Sequence, residues 1–108
     1  MGSHLLLEVY NVESSLLNDS KSLVKVITRG ILRAGMTILN TCNHDFEPQG
    51  VTIVITLAES HFSLHSWPEH NCVSADIYTC GEKNPKIIAL ELLKHLNSDV
   101  YTLRQVYR

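Results

Sequence analysis

Apolar and polar positions alternate from the start of the chain. Between His4 and Val12, Leu5, Leu7 and Val9 fall on one side of an extended segment, and the spacing predicts a strand. The period then changes. Leu23, Val26, Ile27 and Ile31 recur at i, i+3, i+4 and i+8, one apolar stripe along a helix. Asn18, Asp19 and Ser20 offer oxygens to cap its start, and Gly35 suits the position just past its end. Gly30 lies inside this helix, where it costs about 1 kcal/mol relative to Ala. A close approach of helix to sheet would account for it. Met36 to Asn43 predicts a second strand, and His44 to Gly50 a loop punctuated by Pro48 and Gly50. Val51 to Leu57 is β-branched and nearly all apolar, which predicts a central strand. Phe62 to Ser66 reads as a short extended piece closed by Trp67-Pro68, and Val73 to Thr79 as another strand. Asn84 as cap and Pro85 at the first position open a second helix through Ile87, Ile88, Leu90, Leu92 and Leu93 to about Leu96. Val100 to Tyr107 is the last strand.

The order is strand, helix, four strands, helix, strand. Two helices cannot cover both faces of so wide a sheet. The economical packing places both on one face, an α+β two-layer sandwich with a mostly antiparallel sheet. The other face then needs a ligand pocket or a partner subunit, which favours a homodimer or higher homo-oligomer. The 108 residues make one domain, 1–108. A chain of this length buries roughly 65% of its unfolded surface. An active site would therefore be shallow, or shared between subunits.

Composition narrows the classes. The apolar fraction of 44% is too high for a disordered chain. A formal net charge of −2 argues against a general nucleic-acid binder. Lys25, Arg29 and Arg33 form a basic stripe at helical spacing, read as a solvated helix face. No apolar run reaches membrane-spanning length and no signal peptide is read, so no membrane partner is expected. Three cysteines without CxxC spacing argue against a disulfide framework and for a reducing, cytoplasmic location.

Chemistry is crowded into Leu57 to Gly81, which holds His61, His65, His70, Trp67, Cys72 and Cys80. His61 and His65 would chelate a metal if they were helical. On an extended segment, residues four apart share a face but lie about 13 Å apart. No metal is expected. Ser60, His65 and Cys80, with Asp76 to orient a histidine, are the residue types of a hydrolytic dyad. The residue types alone leave that reading open beside a plain one, a satisfied structural histidine and a buried inert cysteine.

The ordered string decides more. Leu57-Ala-Glu-Ser-His-Phe-Ser-Leu-His-Ser-Trp-Pro-Glu69, followed by Ala75-Asp-Ile-Tyr-Thr-Cys-Gly81, closely resembles the small prokaryotic S-adenosylmethionine decarboxylases, pyruvoyl enzymes made as proenzymes. His4-Leu5-Leu6, Leu17-Asn18-Asp19, Ala34-Gly35 and His44 to Val51 fall in register with the same family. The resemblance covers nearly the whole chain.

The resemblance implies that the chain cuts itself between Glu59 and Ser60, giving a β chain 1–59 and an α chain 60–108. Ser60 Oγ would attack the Glu59 carbonyl, turning amide into ester. A base would remove the Ser60 Cα proton, elimination would release the upstream chain, and loss of ammonia would leave a pyruvoyl group in place of Ser60. His65, in the His-Ser-Trp-Pro-Glu motif, would be the base, since an imidazole works near neutral pH. Thr52, where the family often has Ser, would support the tetrahedral intermediate. The pyruvoyl group would hold the substrate amine and act as electron sink. Cys80, in Thr-Cys-Gly, would reprotonate the product, because a thiol is mostly protonated at neutral pH. Phe46 would stack on adenine and Glu69 would accept from the ribose hydroxyls. Trp67 and Pro68 would shape the turn.

Two departures from the family pattern bear on the substrate. His70-Asn71-Cys72-Val73-Ser74-Ala75 replaces a Tyr-Gly-Tyr-Ala-Ala run, and Asn43 replaces a bulkier residue. Both are expected near the pocket. The best substrate is S-adenosylmethionine, for polyamine synthesis. The alternatives are a pyruvoyl-dependent arginine or ornithine decarboxylase on the same fold and a non-processing regulatory homologue. Intact Ser60, His65 and Cys80 argue against the last.

Overall fold

Alternation along the strands decides the architecture. In a computed structural model describing residues 2–108, the chain runs β1 (Ser3–Tyr10), α1 (Ser14–Leu17), α2 (Ser20–Arg33), β2 (Ile38–Asp45), β3 (Val51–Leu57), β4 (Ser60–Trp67), a 3-10 turn (Pro68–His70), β5 (Cys72–Thr79), α3 (Lys86–Leu96) and β6 (Val100–Tyr107). The strands form one sheet in the order β2-β3-β4-β5-β1-β6, and every neighbouring pair is antiparallel. Leu5, Leu7 and Val9, then Val51, Ile53, Ile55 and Leu57, then Phe62 and Leu64, then Val73, Ala75 and Ile77 are all buried at alternate positions. They share a core with Leu23, Ile27 and Ile31 of α2 and Ile88, Leu92 and Leu96 of α3. Both long helices therefore cover one sheet face, as the patterning requires, and among the described residues no element covers the other face. Edge strands β2 and β6 are almost wholly exposed.

Helix ends follow the residues set out for them. The Asp19 side chain accepts from Ser22 N–H at 3.2 Å. Gly35 takes φ 78 after α2, and the Met36 N–H bonds back to Ile31 O at 3.1 Å, closing the last turn. Asn84 Oδ1 accepts from Lys86 N–H at 3.0 Å, one residue outside the assigned cap of α3.

The structure departs from the sequence reading in several details, among them the start of β4 at Ser60 rather than Phe62. The short helix α1 had no periodicity to reveal it. Strand β2 continues to Asp45, shortening the loop, because His44 and Asp45 pair with Thr52 and Val51. Gly30 faces α3 rather than the sheet: a Cβ there would stand 3.2 Å from Ile88 Cα. Its small size lets two helices, not helix and sheet, approach closely.

Candidate active site

The sequence-predicted residues gather at two places. The first is the tip of the β3–β4 hairpin. Leu57 pairs with Ser60, so the turn consists of Ala58 and Glu59 alone. Glu59 takes φ 61, the left-handed region, which costs a residue with a Cβ about 1–2 kcal/mol. The Ala58 N–H is held by Thr37 O at 3.0 Å, so the turn is anchored on one side. The strained residue thus carries the carbonyl of the Glu59–Ser60 bond. Ser60 is half-buried, and its Oγ accepts from the Cys80 N–H at 3.4 Å. Cys80 follows the end of β5 and is half-buried. The Tyr78 phenol is pushed up, chiefly through hydrogen bonding with Cys80. Tyr78 was no candidate from sequence, although it stands two residues before Cys80, a spacing that puts both on one side of an extended strand.

The second place is the far end of the same hairpin. Thr52 and His65 are cross-strand partners, and Thr52 Oγ1 lies 3.0 Å from His65 Nδ1. They line a cleft of about 400 Å³ together with Phe46, Gln49, Trp67 and Glu69. Trp67, assigned to the turn, is 40% exposed and forms part of the wall. The floor is built by the loop after β2. Gly50 takes φ 102, where a Cβ would be strained and would meet Ser66 O at 3.3 Å. Its N–H donates to Asn18 Oδ1 at 2.9 Å. Buried Ser66 accepts from Val51 N–H at 3.0 Å and donates to Leu17 O at 2.7 Å. Helix α1 therefore serves as the loop's anchor.

The two places do not meet within one chain. Ser60 and His65 are five residues apart on β4, so their side chains leave opposite faces and their Cα atoms lie about 17 Å apart. Asp76 orients neither His65 nor Cys80; its partners are His4, His61 and Ser63. Burial opposes ionisation of Asp76, but the hydrogen bonds from Ser63, His4 and His61 outweigh it and hold the carboxyl below its ordinary value of 3.8. The residues His70 to Ala75, expected near the pocket, do not line the cleft. Asn71 takes φ 54, and its backbone and side chain both bond Val12, at 3.0 and 2.9 Å. It fills a left-handed turn position that Gly or Asn suits, which is a structural substitution. Cys72, Cys80 and exposed Cys42 are free thiols. No helix among the described residues is long and apolar enough to cross a membrane.

Comparison with known proteins agrees with the string of residues that raised the question. A family model described as S-adenosylmethionine decarboxylase matches residues 3–108. The S-adenosylmethionine decarboxylase proenzyme of Prochlorococcus marinus (strain MIT 9313) is 46% identical, covering 87% of this chain and 75% of that protein. The proenzyme of Synechococcus sp. (strain WH7803) is 41% identical over 100% of this chain and 85% of its own length. The crystal structure of the adenosylmethionine decarboxylase from Aquifex aeolicus superposes with a TM-score of 0.90 at 27% identity, covering 100% of this chain and 90% of that one. By sequence along its length and by fold, this chain belongs to the S-adenosylmethionine decarboxylase family.

Proposed function

We propose that the chain is a self-processing, pyruvoyl-dependent decarboxylase acting on S-adenosylmethionine to supply polyamine synthesis. The proenzyme names of its relatives support self-cleavage and that substrate. The observation that carries the cut site is Glu59 in the left-handed region at a two-residue turn, directly before Ser60. Attack turns the Glu59–Ser60 amide into an ester and frees the Ser60 amine. Loss of the Cα proton to a base expels the Glu59 carboxylate and ends the upstream fragment. The remaining enamine isomerises to an imine, and water replaces its nitrogen, released as ammonia. The fragments are then 1–59 and 60–108.

A pyruvoyl group in place of Ser60 would bind the substrate amine and supply the electron sink that decarboxylation needs. The residues at the hairpin tip fit such a group, because the Cys80 N–H already points at the Ser60 Oγ. Cys80 delivers the proton to the decarboxylated carbon. Phe46, 48% exposed, offers a ring to the adenine, and the Glu69 carboxylate accepts from the ribose hydroxyls.

One chain cannot bring His65 to Ser60, so a second copy supplies it. The uncovered sheet face supports this arrangement. It presents Thr52, Val54, Ser63, Cys72 and Ser74, with few of the Lys and Glu residues of a solvated face. Six such strands span roughly 700 Å², close to the ~800 Å² each partner buries in a standard interface. A two-fold axis between facing sheets and across the strands lays the Ser60 end of each chain against the His65 end of its partner. The free thiols fit a reducing cytoplasm.

The test is intact-mass analysis with carbon dioxide release from S-adenosylmethionine, arginine and ornithine. Two fragments split at Glu59–Ser60 are expected, none from Ser60→Ala, and turnover of S-adenosylmethionine alone. A single full-length mass after prolonged incubation overturns self-processing, and turnover of arginine or ornithine instead overturns the substrate.

A further inference from the structure

The uncovered sheet face holds a second constellation that the chemistry above does not use. His4 on β1 and His61 on β4 flank Tyr78 of β5 in one cross-strand row. Asp76 lies two residues back along β5 on the same face, between them. Its Oδ2 is 2.5 Å from His4 Nε2 and 3.2 Å from His61 Nε2. The three candidate ligand atoms lie within 4.8 Å of one another. Zinc bonds to nitrogen and oxygen of about 2.0–2.2 Å in a tetrahedron need ligand atoms about 3.3–3.6 Å apart. Small side-chain rotations reach that spacing, because adjacent strands fix all three backbones. Ser63 donates to the other carboxylate oxygen, and the His61 ring stacks on Tyr78 at 5.9 Å and 21°. Both contacts orient ligands from outside the set, as supporting residues do at metal sites.

We propose that His4, His61 and Asp76 form a site for a divalent transition-metal ion. Two imidazoles and one carboxylate suit zinc, iron, cobalt or nickel better than magnesium or calcium, which prefer oxygen. The set leaves at least one coordination position for water or for a group on a facing copy. On the cleavage proposed above, His4 belongs to fragment 1–59 and His61 and Asp76 to fragment 60–108. The ion would therefore clasp the two fragments beside the cut; this consequence alone rests on that reading.

The experiment is calorimetric titration of chelator-stripped protein with zinc, with the visible absorption of cobalt(II) reporting its ligands. About one ion per chain is expected, and the same affinity in Ser60→Ala, whose ligands are intact whether or not the chain is cut. His4→Gln and Asp76→Asn, with circular dichroism to establish that they fold, should each weaken binding at least about tenfold. Cys42→Ser and Cys72→Ser should leave it unchanged. Absence of binding by the folded wild type overturns the site, as does an affinity that survives both ligand substitutions; the three residues are then a hydrogen-bonded network only.

Discussion

Thr52 and His65 make the clearest residue-scale case. Their register pairing puts a hydroxyl 3.0 Å from an imidazole, so His65 presents its Nε2 in a fixed orientation. Removing the hydroxyl loses one hydrogen bond without changing side-chain volume. Thr52→Val should slow appearance of the two fragments about tenfold in timed intact-mass analysis, and Thr52→Ser should keep the wild-type rate. Equal rates for all three would remove Thr52 from the processing machinery. Ser60, His65 and Cys80 stood out in the sequence as candidates, because the motifs that hold them are specific to the family. Their geometry was half legible. Five residues on one strand always means opposite faces, but only when Ser60 is known to start the strand. The alternation of Phe62, Leu64 and Ser66 fixed the face without revealing that β4 extends back to Ser60.

At the scale of elements, the turn at Ala58–Glu59 matters most. A left-handed Glu is held there by the pairing of Leu57 with Ser60 and by the Thr37 bond to Ala58. Backbone strain of this kind sits next to the bond proposed to break and raises the energy of the uncut turn. Glu59→Gly should raise proenzyme stability by about 1 kcal/mol in denaturant unfolding of a Ser60→Ala background, and slow cleavage when Ser60 is present. Cleavage as fast as wild type would separate strain from processing. The two long helices, their caps and the central strand were legible because period and end signals agree. Helix α1 was not, since four residues carry no period, and its use as anchor for Gly50 through Asn18 is visible only in space. Gly30 drew attention as a helix glycine, but a sequence does not say which neighbour comes close.

On the scale of the whole molecule, the covered and uncovered sheet faces divide the work. The helices bury one face and hold the strands in register. The uncovered face carries the His4–His61–Asp76 cluster and most of the polar residues of the central strands. The patterning predicted that this face needed a pocket or a partner. It did not predict that the site residues would separate toward opposite ends of one hairpin, because that depends on strand pairing. The separation makes the shared site the central claim, and co-expression of two defective chains tests it most directly. Ser60→Ala lacks the residue proposed to be converted, and His65→Ala lacks the proposed base. Alone, neither should process. Together they can form one complete site per mixed pair, from Ser60 of one chain and His65 of the other. Intact-mass analysis should then show fragments 1–59 and 60–108 derived from the His65→Ala chain only. Full-length mass for both chains in the co-expressed sample would contradict the account.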